Sequence, residues 1–219
     1  MTEAQPPPPT NVAPLATAST TNVRNLEQAL QFLEALVATR VAQLGGGDAA
    51  TRSEPPTLGF FDDGSALGDF VRDRKPSFDE YAVLALALAP HVRPAFLDSA
   101  MRAALDRDGD FPEFGCRRGA DGRALLATGE TAVFQLAGDD LDERFAVQRL
   151  FEPDHWFAAD GVLTLEPARE GETWLSGRLI LGRDWLERFT TGRTTAPAFS
   201  ASFPAKRIQT ALNWDDIVL

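Results

Sequence analysis

The sequence predicts an α+β chain, mostly helical and closed by a C-terminal β-hairpin. Three observations lead there. Apolar residues recur at spacings of three and four over residues 26–44, and capped apolar runs follow one another between 58 and 150. Past residue 160 the period becomes that of strands: Val162, Leu163 and Leu165 form one run and Trp174 to Leu181 a second, joined by the turn-rich PAREGE. Helices followed by a hairpin is the order of a winged-helix-like unit.

Residues 1–22 hold five prolines, one charge and no aromatic side chain, so they read as a disordered Pro-rich tail. From 23 to 44 the spacing of Leu26, Leu30, Leu33, Val37, Val41 and Leu44 predicts an amphipathic helix, with Asn22 as its N-cap and Gly45-Gly46-Gly47 as its stop. Phe32 and Leu36 add a second apolar face, which suits either two neighbours within the chain or one neighbour and a partner chain. Residues 45–57 read as a linker and 58–200 as the helical, winged-helix-like domain.

Within that domain Ser65 caps a short helix, 66–74, with Leu67, Phe70 and Val71 inward and Pro76 beyond its end. Ser77 and Glu80 stand at capping-box spacing before an almost wholly apolar run, Phe78 to Ala89, read as the central buried helix and ended by Pro90. Pro94 suits the first turn of a helix over 94–106, which buries Phe96, Met101 and Leu105. Residues 107–128 are rich in Gly, Asp and Arg and read as an irregular excursion with one short strand. Thr128 or Gly129 opens a helix over 130–137. Another over 140–150 carries Leu141, Phe145 and Leu150, and a last one over 183–190 carries Trp185, Leu186 and Phe189.

The chain has 219 residues, 44% apolar and 24% charged, with a formal charge of −11, which fits a folded protein and weighs against nucleic acid or an anionic membrane as the partner. The single cysteine, Cys116, excludes an internal disulfide. The N-terminus lacks the basic and apolar regions of a signal peptide, and the longest apolar run, Tyr81 to Pro90, is about half a membrane span. The expectation is a cytoplasmic protein that neither enters a membrane nor binds nucleic acid.

Candidate chemistry is sparse. Asp106, Asp108 and Asp110 alternate as calcium ligands would, but Phe111 stands where the sharp-turn glycine belongs and Arg117 where the bidentate glutamate belongs, so a solvated turn is the plainer reading. His91 and His155 share no zinc spacing. His155 either is oriented by Asp154 or caps and packs at a loop. Arg117 and Arg118 beside Cys116 would favour thiolate, though no base or oxyanion site accompanies it. The phosphate-loop pattern GxxxxGK followed by Ser or Thr is absent, so the chain itself is expected to hold no cofactor and to catalyse no nucleotide hydrolysis.

Three stretches, Thr128 to Gly138 (TGETAVFQLAG), Phe151 to His155 (FEPDH) and Leu175 to Leu179 (LSGRL), resemble the N-terminal region of bacterial AAA+ ATPases encoded with phage-tail-like contractile injection systems. Phe203 to Leu219 (FPAKRIQTALNWDDIVL) is similar to the piece leading into their ATPase module, and Tyr81 to Phe96, with its LALALAP core, to the same N-terminal region. The likeness covers about 75–219. It implies that 201–219 is a linker toward an AAA+ module lying beyond this chain, and that the apolar ending is that of a fragment. It also implies that Ile217 and Val218 contact adenine in a complete protein. ATP, Mg and a hexamer would belong to that parent protein; Walker and arginine-finger residues have no counterpart here.

The expected function is a non-catalytic accessory domain for partner or substrate recognition and oligomer assembly. A free-standing adaptor of the contractile apparatus is the alternative, and an enzyme at Cys116 or His155 the third reading. The acids Asp140, Asp142 and Glu143 at the start of helix 140–150, against Arg144 and Arg149 further along, would repel phosphate at the groove-facing end, so protein rather than DNA is the expected partner.

Overall fold

A computed structural model describes residues 19–44, 55–109, 111–120, 122 and 124–193. Most of the expected tail, most of the 45–57 linker and all of 201–219 lie outside these residues. Helix α1 runs Ser19–Leu44, four residues longer at its start than the apolar spacing predicts. Leu26, Leu30, Leu33 and Val37 on one face and Ala29, Phe32 and Leu36 on the other are all buried. The second face is covered from within the chain: the Phe32 ring meets Phe78 at 5.4 Å and Tyr81 at 5.1 Å, both edge-on. Of the two sequence readings, the one with neighbours inside the chain therefore holds, and α1 belongs to the same core as the residues that follow.

Asn22 is not the N-cap. It lies inside α1 and is buried, its Oδ1 accepting from the Ala66 amide at 2.9 Å and its Nδ2 donating to the Arg188 carbonyl at 3.3 Å. Ala66 opens helix α2 (Ala66–Arg74), whose first amides have no partner of their own. Asn22 supplies one across 44 residues, and Ser65 supplies another locally by accepting from Gly68 at 3.1 Å.

Helix α3 (Phe78–Val92) opens on the predicted capping box of Ser77 and Glu80, and every residue from Tyr81 to Ala89 is buried. It passes through Pro90 rather than stopping there. Proline's φ is helical and its missing N–H costs only one bond near the end, and the Arg93 amide closes the last turn on Ala89 at 2.8 Å. Helix α4 (Phe96–Leu105) starts two residues later than expected, because Pro94 sits in a turn closed by Phe96 N–H to Arg93 C=O at 2.9 Å. The excursion after α4 holds two short strands instead of one, β1 (Arg117–Arg118) and β2 (Leu125–Leu126), paired antiparallel.

Helix α5 (Gly129–Ala137) is capped by Thr128, and α6 (Leu141–Gln148) by Asp140, which accepts from Asp142 and Glu143 at 3.0 and 3.1 Å. The expected helix 140–150 tightens to a 3-10 turn at Arg149–Phe151. A one-turn helix, α7 (Trp156–Ala159), follows. Strands β3 (Leu163–Leu165) and β4 (Leu179–Leu181) then pair antiparallel, Leu163 opposite Leu181 and Leu165 opposite Leu179. The expected strand from Trp174 is a strand only over its last three residues. Trp174–Ser176 instead form a 3-10 turn that buries Leu175 against Gly129, where an added Cβ would come within 2.9 Å of the leucine. Helix α8 (Arg183–Thr191) seals the core with Phe189, whose ring meets Phe70 at 5.0 Å.

The hairpin has a third member. Thr128 bridges Arg178, the Leu179 amide donates to Ala127 C=O at 2.9 Å, and the Gly129 amide to Gly177 C=O at 3.0 Å. The order α5, α6, α7, β3, β4, with Thr128 bridging the outer edge of β4, is that of the winged-helix-like unit the sequence predicts, α6 holding the second-helix position and β3–β4 the wing.

Candidate functional site

The winged-helix unit is built on α5 and α6, whose inward residues Val133, Ala137 and Val147 form a small satellite core with Leu175. Gly138, at φ 60, joins the two helices; a Cβ there would lie 2.6 Å from the Arg40 guanidinium. Arg40 itself donates to the Gln135 carbonyl at 3.1 Å, so α1 braces this joint.

On the outer face of α6, Leu141 and Phe145 are 65% and 59% exposed, one turn apart. Helical spacing pointed to burial, but only Val147 of α6 is buried. Asp139, Asp142 and Glu143 are exposed around the pair. Arg144 does not offset them at the surface: it folds back, donating to both Glu130 oxygens at 2.7 and 2.9 Å and to the Gly138 carbonyl at 2.9 Å. Burial, reinforced by the charges of Glu143 and Glu80, raises the carboxyl of half-buried Asp79 on α3 above its ordinary value. This face presents two exposed apolar side chains beside Asp139, Asp142 and Glu143, with Arg149 exposed one turn beyond Phe145.

The other sequence candidates are placed as follows. Ile217, Val218 and Asp110 lie outside the described residues. Asp106 is the left-handed C-cap of α4, at φ 48 and ψ 40, and Asp108 extends into solvent 3.4 Å from Arg102. Among the described residues, no group of three or more His, Cys, Asp or Glu is placed to hold a metal ion. Cys116 is a weak nucleophile rather than an activated one. Burial pushes its thiol up to about 11, against a Thr131 hydroxyl that donates to Sγ at 3.5 Å, while Arg117 and Arg118 face Glu172 and Asp98.

His155 caps α7. Its Nδ1 accepts from the Phe157 amide at 3.2 Å, which assigns the ring proton to Nε2, 3.1 Å from Glu80 Oε1. Both nitrogens are committed, and no lone pair remains for a general base. The orienting carboxylate is Glu80, not Asp154. Burial acts against the charge of Glu80, but the Ser77 amide, the Trp156 indole and His155 together hold its carboxyl below the ordinary range. Sequence reasoning placed Glu80 in its capping box and missed this second role, and it missed Asn25 altogether. Asn25 Nδ2 donates to Phe61 C=O and Ser65 Oγ at 2.9 and 2.7 Å, and its Oδ1 accepts from the Phe61 amide at 2.8 Å, stapling that loop to α1.

Compared with family models, curated proteins and solved structures, the chain matches none. Among the described residues no helix is long and apolar enough to cross a membrane.

Proposed function

We propose that this chain is a non-catalytic accessory domain that recognises a protein partner through α6, within a bacterial cytoplasmic AAA+ ATPase of a contractile injection system. The observation that carries the recognition role is the exposed pair Leu141 and Phe145 beside Asp139, Asp142 and Glu143, at the position where a DNA-binding winged helix would present basic side chains. The AAA+ setting rests on the resemblance of 128–138, 151–155, 175–179 and 203–219. In that setting ATP and Mg bind the ATPase module of the parent protein, where Ile217 and Val218 would lie against adenine and where hexamer assembly would occur.

The test uses the chain and the double variant Leu141→Ser, Phe145→Ser in binding assays with proteins of the contractile apparatus, alongside ATP hydrolysis and DNA anisotropy. The expected result is partner binding by the wild type, at least ten-fold weaker in the variant, and neither hydrolysis nor nanomolar DNA affinity. ATP turnover by this chain alone, or tight salt-dependent DNA binding, overturns the reading. Binding as a free chain with no ATPase partner would favour the adaptor alternative.

A further inference from the structure

In a chain with formal charge −11, four arginines line a single cleft of about 270 Å³ between the β1–β2 ribbon and the wing. Arg117 and Arg118 are β1 itself, Arg178 directly precedes β4, and Arg169 lies in the turn between β3 and β4. The wing closes tightly at its base, because Gly177 passes so near Glu166 that an added Cβ would stand 1.9 Å from the glutamate carbonyl oxygen.

One carboxylate already occupies part of this cleft. Arg178 grips Glu166 with both Nε and Nη2 at 2.7 Å, the side-on fork that guanidinium makes with a carboxylate or phosphate. Arg117 and Arg169 are less committed, whereas Arg118 is engaged elsewhere. Arg117 is 3.8 Å from Glu172 and Arg118 is 3.6 Å from Asp98. Arg169 makes no ion pair within 4 Å among the described residues, and neither Arg117 nor Arg169 donates a short hydrogen bond to a side chain there. Both nevertheless bear on Glu166: the Arg178 hydrogen bonds hold its carboxyl below the ordinary range against burial, and the charges of Arg178, Arg117 and Arg169 add to this in that order. The cleft therefore sets three further arginines around a recess that also holds the Arg178–Glu166 pair.

We propose that this cleft binds an oxyanion, a carboxylate or a phosphate, held by Arg117 and Arg169 next to the Arg178–Glu166 pair. The site is independent of the α6 face and goes beyond the recognition role assigned there. Its two sources, a free ion and an acidic segment of a protein partner, share the chemistry and differ in affinity.

The test is an NMR titration of the 15N-labelled chain with inorganic phosphate and, separately, with a tetraglutamate peptide. Saturable shifts are expected at the amides of Gly119, Ala120 and Arg178. Glu166→Gln removes the internal competitor and should tighten binding several-fold. Arg117→Gln with Arg169→Gln should weaken it at least ten-fold without moving the thermal midpoint. Tighter binding of the peptide than of phosphate assigns a protein-borne carboxylate, and the reverse a free oxyanion. No saturable shift with either probe, or shifts that both sets of variants leave unchanged, overturns the proposal.

Discussion

The indole Nε1 of Trp156 donates to Glu80 Oε1 across 2.6 Å, tying the first turn of α7 to the first turn of α3 over 76 residues of chain. The same carboxylate accepts from the Ser77 amide at 2.6 Å, so one side chain caps a helix and anchors the approach to the wing. Glu80→Ala strands those donors and should cost about 1–3 kcal/mol, while Glu80→Gln should cost less. Urea unfolding of the two variants measures both.

That carboxylate also sets a pH dependence. Its folded pKa lies below the ordinary value of 4.5, so as the pH falls through about 4.5 the unfolded chain takes up its proton first. Glu80 therefore contributes stability above that pH and loses it progressively below. The wild-type thermal midpoint should fall toward acid more steeply than that of Glu80→Gln. Parallel curves between pH 5 and 3 would show that the carboxylate is not held as described.

Asn22→Ala removes the acceptor for the Ala66 amide and the donor to Arg188, both at part-buried positions. A loss of about 1–2 kcal/mol is expected by denaturant unfolding, from stranded buried polar groups. Asn22→Asp keeps the acceptor but buries a carboxylate with one oxygen against the Arg188 carbonyl, and should cost at least as much as Ala.

Phe189 is wholly buried among Phe70, Trp185 and the rest of the α2–α8 junction. Phe189→Ala should cost about 3–5 kcal/mol through lost burial and the cavity left behind. In contrast, Leu141→Ser and Phe145→Ser on the exposed face of α6 should each change stability by no more than about 0.5 kcal/mol. Equal losses at the two places would mean that α6 is covered in the folded chain.

Cys116 should resist modification. With its thiol raised to about 11 from an ordinary 9.0, the thiolate fraction at neutral pH is about 100-fold lower than in a free cysteine. Because the higher-pKa thiolate is also the better nucleophile, a disulfide reagent at pH 7.5 should label the native protein about ten-fold more slowly than the urea-unfolded chain.

The sequence by itself determined the parts of this fold whose causes lie within about four residues. Ser65, the Ser77–Glu80 box and Thr128 cap the helices that their spacing announces, and the switch from helical to strand period marks the wing. Only the tertiary structure decided the rest. Asn22 has the composition of a cap, yet partners 44 and 166 residues away take both ends of its amide. Leu141 and Phe145 have the spacing of a buried stripe, yet burial requires a second surface, and none of the chain's described elements covers them. Arg144 turns inward to Glu130, His155 spends both nitrogens, and arginines from two distant stretches, Arg117–Arg118 and Arg169 with Arg178, meet in one cleft. A periodic pattern records which side chains share a face. What that face meets depends on how the elements pack, and at α6 packing left Leu141 and Phe145 exposed.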